Sequence, residues 1–215
     1  MKGTYAKNRA VVTAFALLAW FALLLQLFIT VHSNVQSGKG ALWGIVVFLG
    51  YFTILTNLLV CLALTLPMAA PASASGRFFA RSDVNACVAT SIVFVGLAYH
   101  FLLRNLWHPQ GLSLLADTLL HYVTPILFLL YWWFAFPKGA LRWSYPFIWG
   151  LYPTAYLVYA LIRGAIIGNY PYGFIDPKAI GYEKTVMNGI GLLIVFFALG
   201  LILVALGRVQ RRVTA

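Results

Sequence analysis

Apolar residues fall along this chain in six long blocks: Val11 to Val31, Leu42 to Pro67, Val84 to Leu103, Leu114 to Phe136, Tyr145 to Gly168 and Val186 to Leu206. About 20 helical residues cross the hydrocarbon core of a bilayer, so each block is long enough for one transmembrane helix. The stretches between them, such as His32 to Gly40, Pro71 to Ser82 and Pro137 to Ser144, are short and rich in Gly, Pro, Ser, Lys and Arg, as turns are. None could hold a second domain. The pattern predicts an all-α integral membrane protein, a single six-helix bundle over residues 1–215.

Composition strengthens this. Of 215 residues, 62% are hydrophobic and 9% charged, too much apolar surface for a soluble domain of this size to bury. Met1 to Arg9 is basic and leads into a block that spans a bilayer and lacks a small-residue cleavage site, so a retained first helix is expected. Cys61 and Cys87 sit in apolar blocks without partners suited to a disulfide or metal, and are read as core. Neither metal nor cofactor is implied.

The net charge of +11 raises the question of nucleic acid, but the fifteen Lys and Arg residues are scattered between apolar blocks. Membrane orientation accounts for them instead. With the N-terminus inside, ten (Lys2, Lys7, Arg9, Arg77, Arg81, Lys138, Arg142, Arg208, Arg211 and Arg212) fall on the inner side, against Lys39, Arg104, Arg163, Lys178 and Lys184 outside. Both termini are therefore expected in the cytoplasm. Asp117, Asp176, Glu183 and all four histidines (His32, His100, His108 and His121) then gather at the outer end, suggesting a polar pocket that opens there. The outer segment Gly168 to Pro177, with Tyr170-Pro171-Tyr172-Gly173-Phe174, either caps that pocket or belongs to the interfacial aromatic belt. No internal repeat supports an inverted-repeat transporter.

Within the second block Thr53, Thr56 and Asn57 share one helical face. If the helix begins near Leu42, Thr53 lies roughly 16 Å along it. In the fourth block Asp117 and His121 are four residues apart, and Pro125 offers no N–H to the His121 carbonyl, so the helix should loosen there. His121 then lies roughly 12 Å from a start near Ser113, at a depth matching Thr53. An ionisable group at that depth is a functional candidate, with Asp117 able to orient the imidazole. Arg104 and Arg163 near the outer surface either hold an anionic lipid group or snorkel to phosphate, and His100 joins a headgroup-level cluster.

Phe52-Thr53 together with His121-Tyr122-Val123-Thr124-Pro125 resembles the androgen-induced-gene (AIG) family of membrane threonine hydrolases and its compact bacterial relatives, as does the outer Tyr-Pro-x-x-Phe segment. The resemblance implies a helical bundle in a cell membrane, a bacterial inner membrane for this compact branch, that hydrolyses fatty acid esters of hydroxy fatty acids. It further implies Thr53 as nucleophile and His121 as base. Two departures keep Thr56 in contention: Thr53 precedes Asn57-Leu58 by one residue more than the family pattern, and His121 precedes Pro125 by one fewer.

The chemistry is coherent, since a threonine hydroxyl needs an adjacent base as it attacks an ester. Asp117 is a supporting residue and Asn57, Tyr122 or Thr124 are candidate oxyanion donors; Arg104 and Arg163 are candidate anchors for a substrate carboxylate, and His100 and Tyr172 candidate pocket walls. The expected partners are an acyl-ester lipid and the bilayer. Two other classes compete: a bundle whose His100 and His121 ligate haem, and a non-catalytic protein that binds or transports lipid in the same pocket.

Overall fold

A computed structural model describes residues 9–136 and 141–214, with side chains through residue 209. Lys2, Lys7 and Lys138 of the charge pattern lie outside the described residues, and Arg211 and Arg212 are described in backbone alone. Every regular element described is helical. In chain order these are α1 (Arg9–Gln36), α2 (Ala41–Phe48), α3 (Phe52–Ala69), α4 (Ala74–Phe79), α5 (Ser82–Ala98), α6 (Gly111–Thr118), α7 (Thr124–Ala135), α8 (Tyr145–Trp149), α9 (Leu151–Ile167), α10 (Pro177–Ile180) and α11 (Tyr182–Thr214). A π-helical turn, Tyr99–Leu103, extends α5, and another, Leu119–Val123, joins α6 to α7. Six helical stretches are long and apolar enough to cross a membrane, one in each predicted block.

The first four spans enclose one another, α1 packing on α3 and α6, and α5 on α3 and α7. The last two lie to one side, with α11 against α5 and α9. Side chains sort as lipid demands. Leu17, Phe28, Phe134 and Ile166 face outward, whereas Thr53, Thr56, Asn57, Asn85 and Asp117 are buried. Helices in lipid gain most from close approach, and α1 offers Ala16, Ala19 and Ala22 on one buried stripe. Gly44 of α2 sits so close to it that a Cβ there would lie 2.8 Å from the Val31 Cα.

The second block differs from its expected form. In place of one helix from Leu42 to Pro67, the chain breaks at Leu49–Tyr51, and only α3 makes the crossing. Thr53 is therefore the second residue of a helix, not a residue eleven positions into one. A break inside a membrane protein strands carbonyls that need partners. Here α9 supplies them from one face. Tyr156 Oη donates to the Gly50 carbonyl at 2.9 Å, Tyr159 Oη to that of Leu49 at 3.2 Å, and Arg163 Nη2 to that of Val46 at 2.7 Å. Gly50 is required beneath the guanidinium, because a Cβ would meet Arg163 Cζ at 2.8 Å. The other Nη of Arg163 donates to the Asn169 carbonyl at 3.0 Å, tying down the segment after α9.

Arg163 is thus a buried cation at the carbonyl end of α2, where the helix dipole favours it. Replacing it with Leu strands two carbonyls and should destabilise the fold by about 3 kcal/mol, with Arg163→Lys costing less. Thermal unfolding in detergent checks this; an Arg163→Leu protein that melts with the wild type would remove Arg163 from the account of the break.

Candidate functional site

Because α3 starts inside the bundle, its first amides lack helical partners. The Tyr51 carbonyl receives the amides of Ile54 and Leu55, and no side chain of Tyr51 caps the helix. The Thr53 amide points instead at the Tyr172 hydroxyl, 3.5 Å away. Tyr172 comes from the segment following α9, which folds back because Gly164 leaves room for the Tyr170 ring. Buried Ile175 and the Asn188 Nδ2, donating to the Phe174 carbonyl at 2.9 Å, hold the segment down. The Tyr172 ring stacks on Phe174 and meets the edge of Tyr51. The aromatic segment therefore closes over the amino end of α3.

The facing wall is built from the two π turns. Each contains one residue more than an α-turn, which rotates the following side chains, and such turns recur at functional sites. Arg104 N donates to the Tyr99 carbonyl at 2.9 Å in one, and Thr124 N to the Leu119 carbonyl in the other. The rings they carry pair across the helices. Tyr99 stacks on His121 with centroids 4.0 Å apart, and the Tyr122 hydroxyl lies 3.3 Å from His100 Nδ1.

The helix is irregular beside Pro125, as expected, and the carbonyl found with a side-chain donor is that of Leu120, one residue before the expected His121. With Thr124 N bonded to Leu119 and no N–H on Pro125, the Leu120 carbonyl lacks a helical partner. Asn57 Nδ2 reaches it at 3.4 Å while also donating to the Thr53 carbonyl at 2.8 Å. One amide side chain thereby links the turn before His121 to the turn that carries Thr53. Close approach from the other side needs Gly96, whose Cβ would lie 3.0 Å from the His121 carbonyl.

His121 Nδ1 lies 3.0 Å from the Asp117 carbonyl oxygen and 3.2 Å from Asp117 Oδ1. Both neighbours are acceptors, so Nδ1 carries a proton, and Nε2 is the nitrogen with the lone pair in the neutral imidazole. The carbonyl takes the hydrogen bond; Oδ1, buried beside it, makes none of its own. Asp117 Oδ2 accepts from Tyr99 Oη at 2.5 Å, so the tyrosine stacked on the imidazole also fixes the carboxylate.

Thr53, His121 and Asp117 border one cavity of about 390 Å³, together with Tyr99 and Tyr172. Thr53, Tyr99 and Tyr172 also wall a second, apolar cavity of about 70 Å³ lined by Phe52, Phe94 and Phe174. The other expected residues lie elsewhere. Thr56 is fully buried, bonded to Tyr152 Oη at 2.9 Å, and borders neither cavity. Tyr122 opens onto a shallow groove shared with His100 and His121, and Thr124 faces Val60 and Phe128. Asn57 Nδ2 is committed to two carbonyls. Arg163 is committed to the break, so the sequence-based expectation of a substrate anchor there gives way to a backbone cap.

Arg104 is exposed, its Nη1 3.0 Å from His100 Nε2. With Tyr122 on Nδ1, both His100 nitrogens are engaged, which does not suit an axial haem ligand. Among the described residues no cluster of three His, Cys, Asp or Glu could hold a metal ion. The residue that sequence reasoning missed as a partner is Tyr99, the last core position of an apolar block with nothing but its hydroxyl to signal it. Comparison of the chain with protein-family models, with curated proteins and with solved structures returns no match.

Proposed function

We propose that this protein is an intramembrane lipid ester hydrolase in which Thr53 is the nucleophile and His121 the base. One observation carries the proposal: Thr53 and an imidazole with a free Nε2 border the same cavity, the imidazole's other nitrogen being held by Asp117. The Thr53 hydroxyl adds to the ester carbonyl as its proton passes to His121 Nε2. Collapse of the tetrahedral intermediate returns that proton to the departing alkoxide and leaves acyl-Thr53. Water then attacks the acyl group, His121 again taking the proton, and the acid departs as Thr53 recovers its hydrogen. Asp117 orients and steadies the imidazole throughout. Thr53's position at the start of α3 also favours negative charge there.

The substrate class proposed is an acyl ester with long apolar chains, such as a fatty acid ester of a hydroxy fatty acid, because the walls around Thr53 are aromatic and aliphatic. A free carboxylate on such a lipid would meet Arg104, the exposed cation at the head of the His100–Tyr122 groove. The membrane proposed is a bacterial inner membrane with both termini cytoplasmic, on the strength of the Lys and Arg asymmetry.

Three outcomes follow. Thr53→Ala and His121→Ala should each lower hydrolysis of a p-nitrophenyl acyl ester by about 10³-fold or more. Thr56→Val, which loses only the Tyr152 contact, should retain most activity, and a fluorophosphonate should label wild type but not Thr53→Ala. Normal turnover in both the Thr53 and His121 variants would leave a lipid-binding or transport protein as the better account.

Arg104→Gln should weaken binding of a fatty acid about tenfold while sparing its methyl ester. Equal loss for the two ligands would make Arg104 structural. As to orientation, a cysteine at Lys178 should react with an impermeant maleimide from outside the cell; reaction from the cytoplasmic side alone reverses the topology.

A further inference from the structure

The proposed chemistry lacks one component: a donor for the oxyanion that forms when Thr53 attacks. Asn57, Tyr122 and Thr124, the candidates visible in the sequence, are each committed elsewhere or face away. Tyr172 is differently situated. Its hydroxyl stands at the amino end of α3, 3.5 Å from the Thr53 amide, and its side chain borders both cavities.

We propose that Tyr172 is a further catalytic residue, its phenolic O–H donating to the carbonyl oxygen of the ester as negative charge develops there. This rests on the Thr53–His121 reading and supplies its missing part. The phenol oxygen accepts from the Thr53 amide, and the proposal gives its O–H to the cavity that the side chain borders. A hydrogen bond accepted by a hydroxyl polarises its own O–H, and the Thr53 amide at the start of α3 acts in that direction. At 3.5 Å the amide contact is loose in the resting site and has room to tighten as charge builds.

The phenol must also stay protonated. Removal from water raises the Tyr172 pKa above its ordinary 10.0, with the facing Thr53 groups opposing that rise in part. A phenol acts as donor below its pKa and is lost as donor when pH climbs through it. At neutral pH Tyr172 therefore carries its proton. The ring is immobilised by Phe174 and Tyr51, so the donor is positioned before substrate arrives, which is what makes such a group effective.

The experiment compares wild type, Thr53→Ala, His121→Ala and Tyr172→Phe on p-nitrophenyl octanoate in detergent, with inhibition by an octyl trifluoromethyl ketone. For Tyr172→Phe the expected result is a fall in kcat of about 10²-fold, KM nearly unchanged, and a matching loss of ketone affinity. Wild-type kcat in Tyr172→Phe, or a rise in KM alone, would overturn the assignment while leaving Thr53 and His121 intact. If Thr53→Ala and His121→Ala are both fully active, the hydrolase reading itself fails.

Substitution of Tyr172 by 3-fluorotyrosine provides a second readout that keeps the ring and its packing. The fluorine lowers the phenol pKa, so the alkaline limb of the kcat profile should move to lower pH; an unmoved limb would count against the donor role even where Tyr172→Phe folds poorly.

Discussion

In hydrocarbon no backbone carbonyl can be left without a donor, and the architecture of this protein depends on how that constraint is met at one break. Between α2 and α3 the second block stops being helical, and the carbonyls of Val46, Leu49 and Gly50 turn toward α9. Tyr156, Tyr159 and Arg163 recur at i, i+3 and i+7, so a single helical face supplies all three donors. The consequence is felt on the other side of the break. A helix that begins inside the bundle presents its amide end to the interior, and Thr53 rides on that end.

The same constraint governs the opposite wall. A π turn followed by proline removes two helical donors in succession, which leaves the Leu120 carbonyl to Asn57. Since Asn57 also holds the Thr53 carbonyl, the two irregular places in the bundle are tied to each other and not merely adjacent. This fixes the level at which Thr53 and His121 border the larger cavity. It also explains why Asn57, polar and fully buried, sits on a mostly apolar helix.

How much of this was legible varies with the kind of information involved. Hydropathy marks all six spans, because lipid burial acts on every residue and leaves a signal twenty residues long. Asp117, His121 and Pro125 are local too, and their spacing alone points to a loosened turn beside a held imidazole. The break in the second block is harder. Its stabilising groups lie more than a hundred residues away on α9, and Leu49-Gly50-Tyr51 contains no proline. One hint was present: Leu42 to Pro67 is 26 residues, roughly 39 Å of helix against a hydrocarbon core of about 30 Å. Thr53, Thr56 and Asn57 are all buried on α3, as their spacing predicts, yet their bonds go to different neighbours: the Thr53 amide to Tyr172, Thr56 to Tyr152 and Asn57 to Leu120. Arg163 read as a snorkelling cation because sequence records its distance from the block's end but not which way it turns.

The polar groups of the bundle divide by what they do for the backbone. Arg163, Tyr156, Tyr159 and Asn57 each give a donor to a backbone carbonyl, while Arg163 Nε and Asn57 Oδ1 have no partner among the described residues. The groups on the larger cavity differ. His121 keeps Nε2 unengaged among the described residues while Asp117 and Tyr99 fix its other nitrogen and its face. Thr53 keeps its hydroxyl beside Tyr172, and Tyr172 keeps its proton. Thr53, His121, Asp117 and Tyr172 bring hydroxyls, a ring nitrogen and a carboxylate to the border of one cavity, which is the grouping that the proposed substrate would meet.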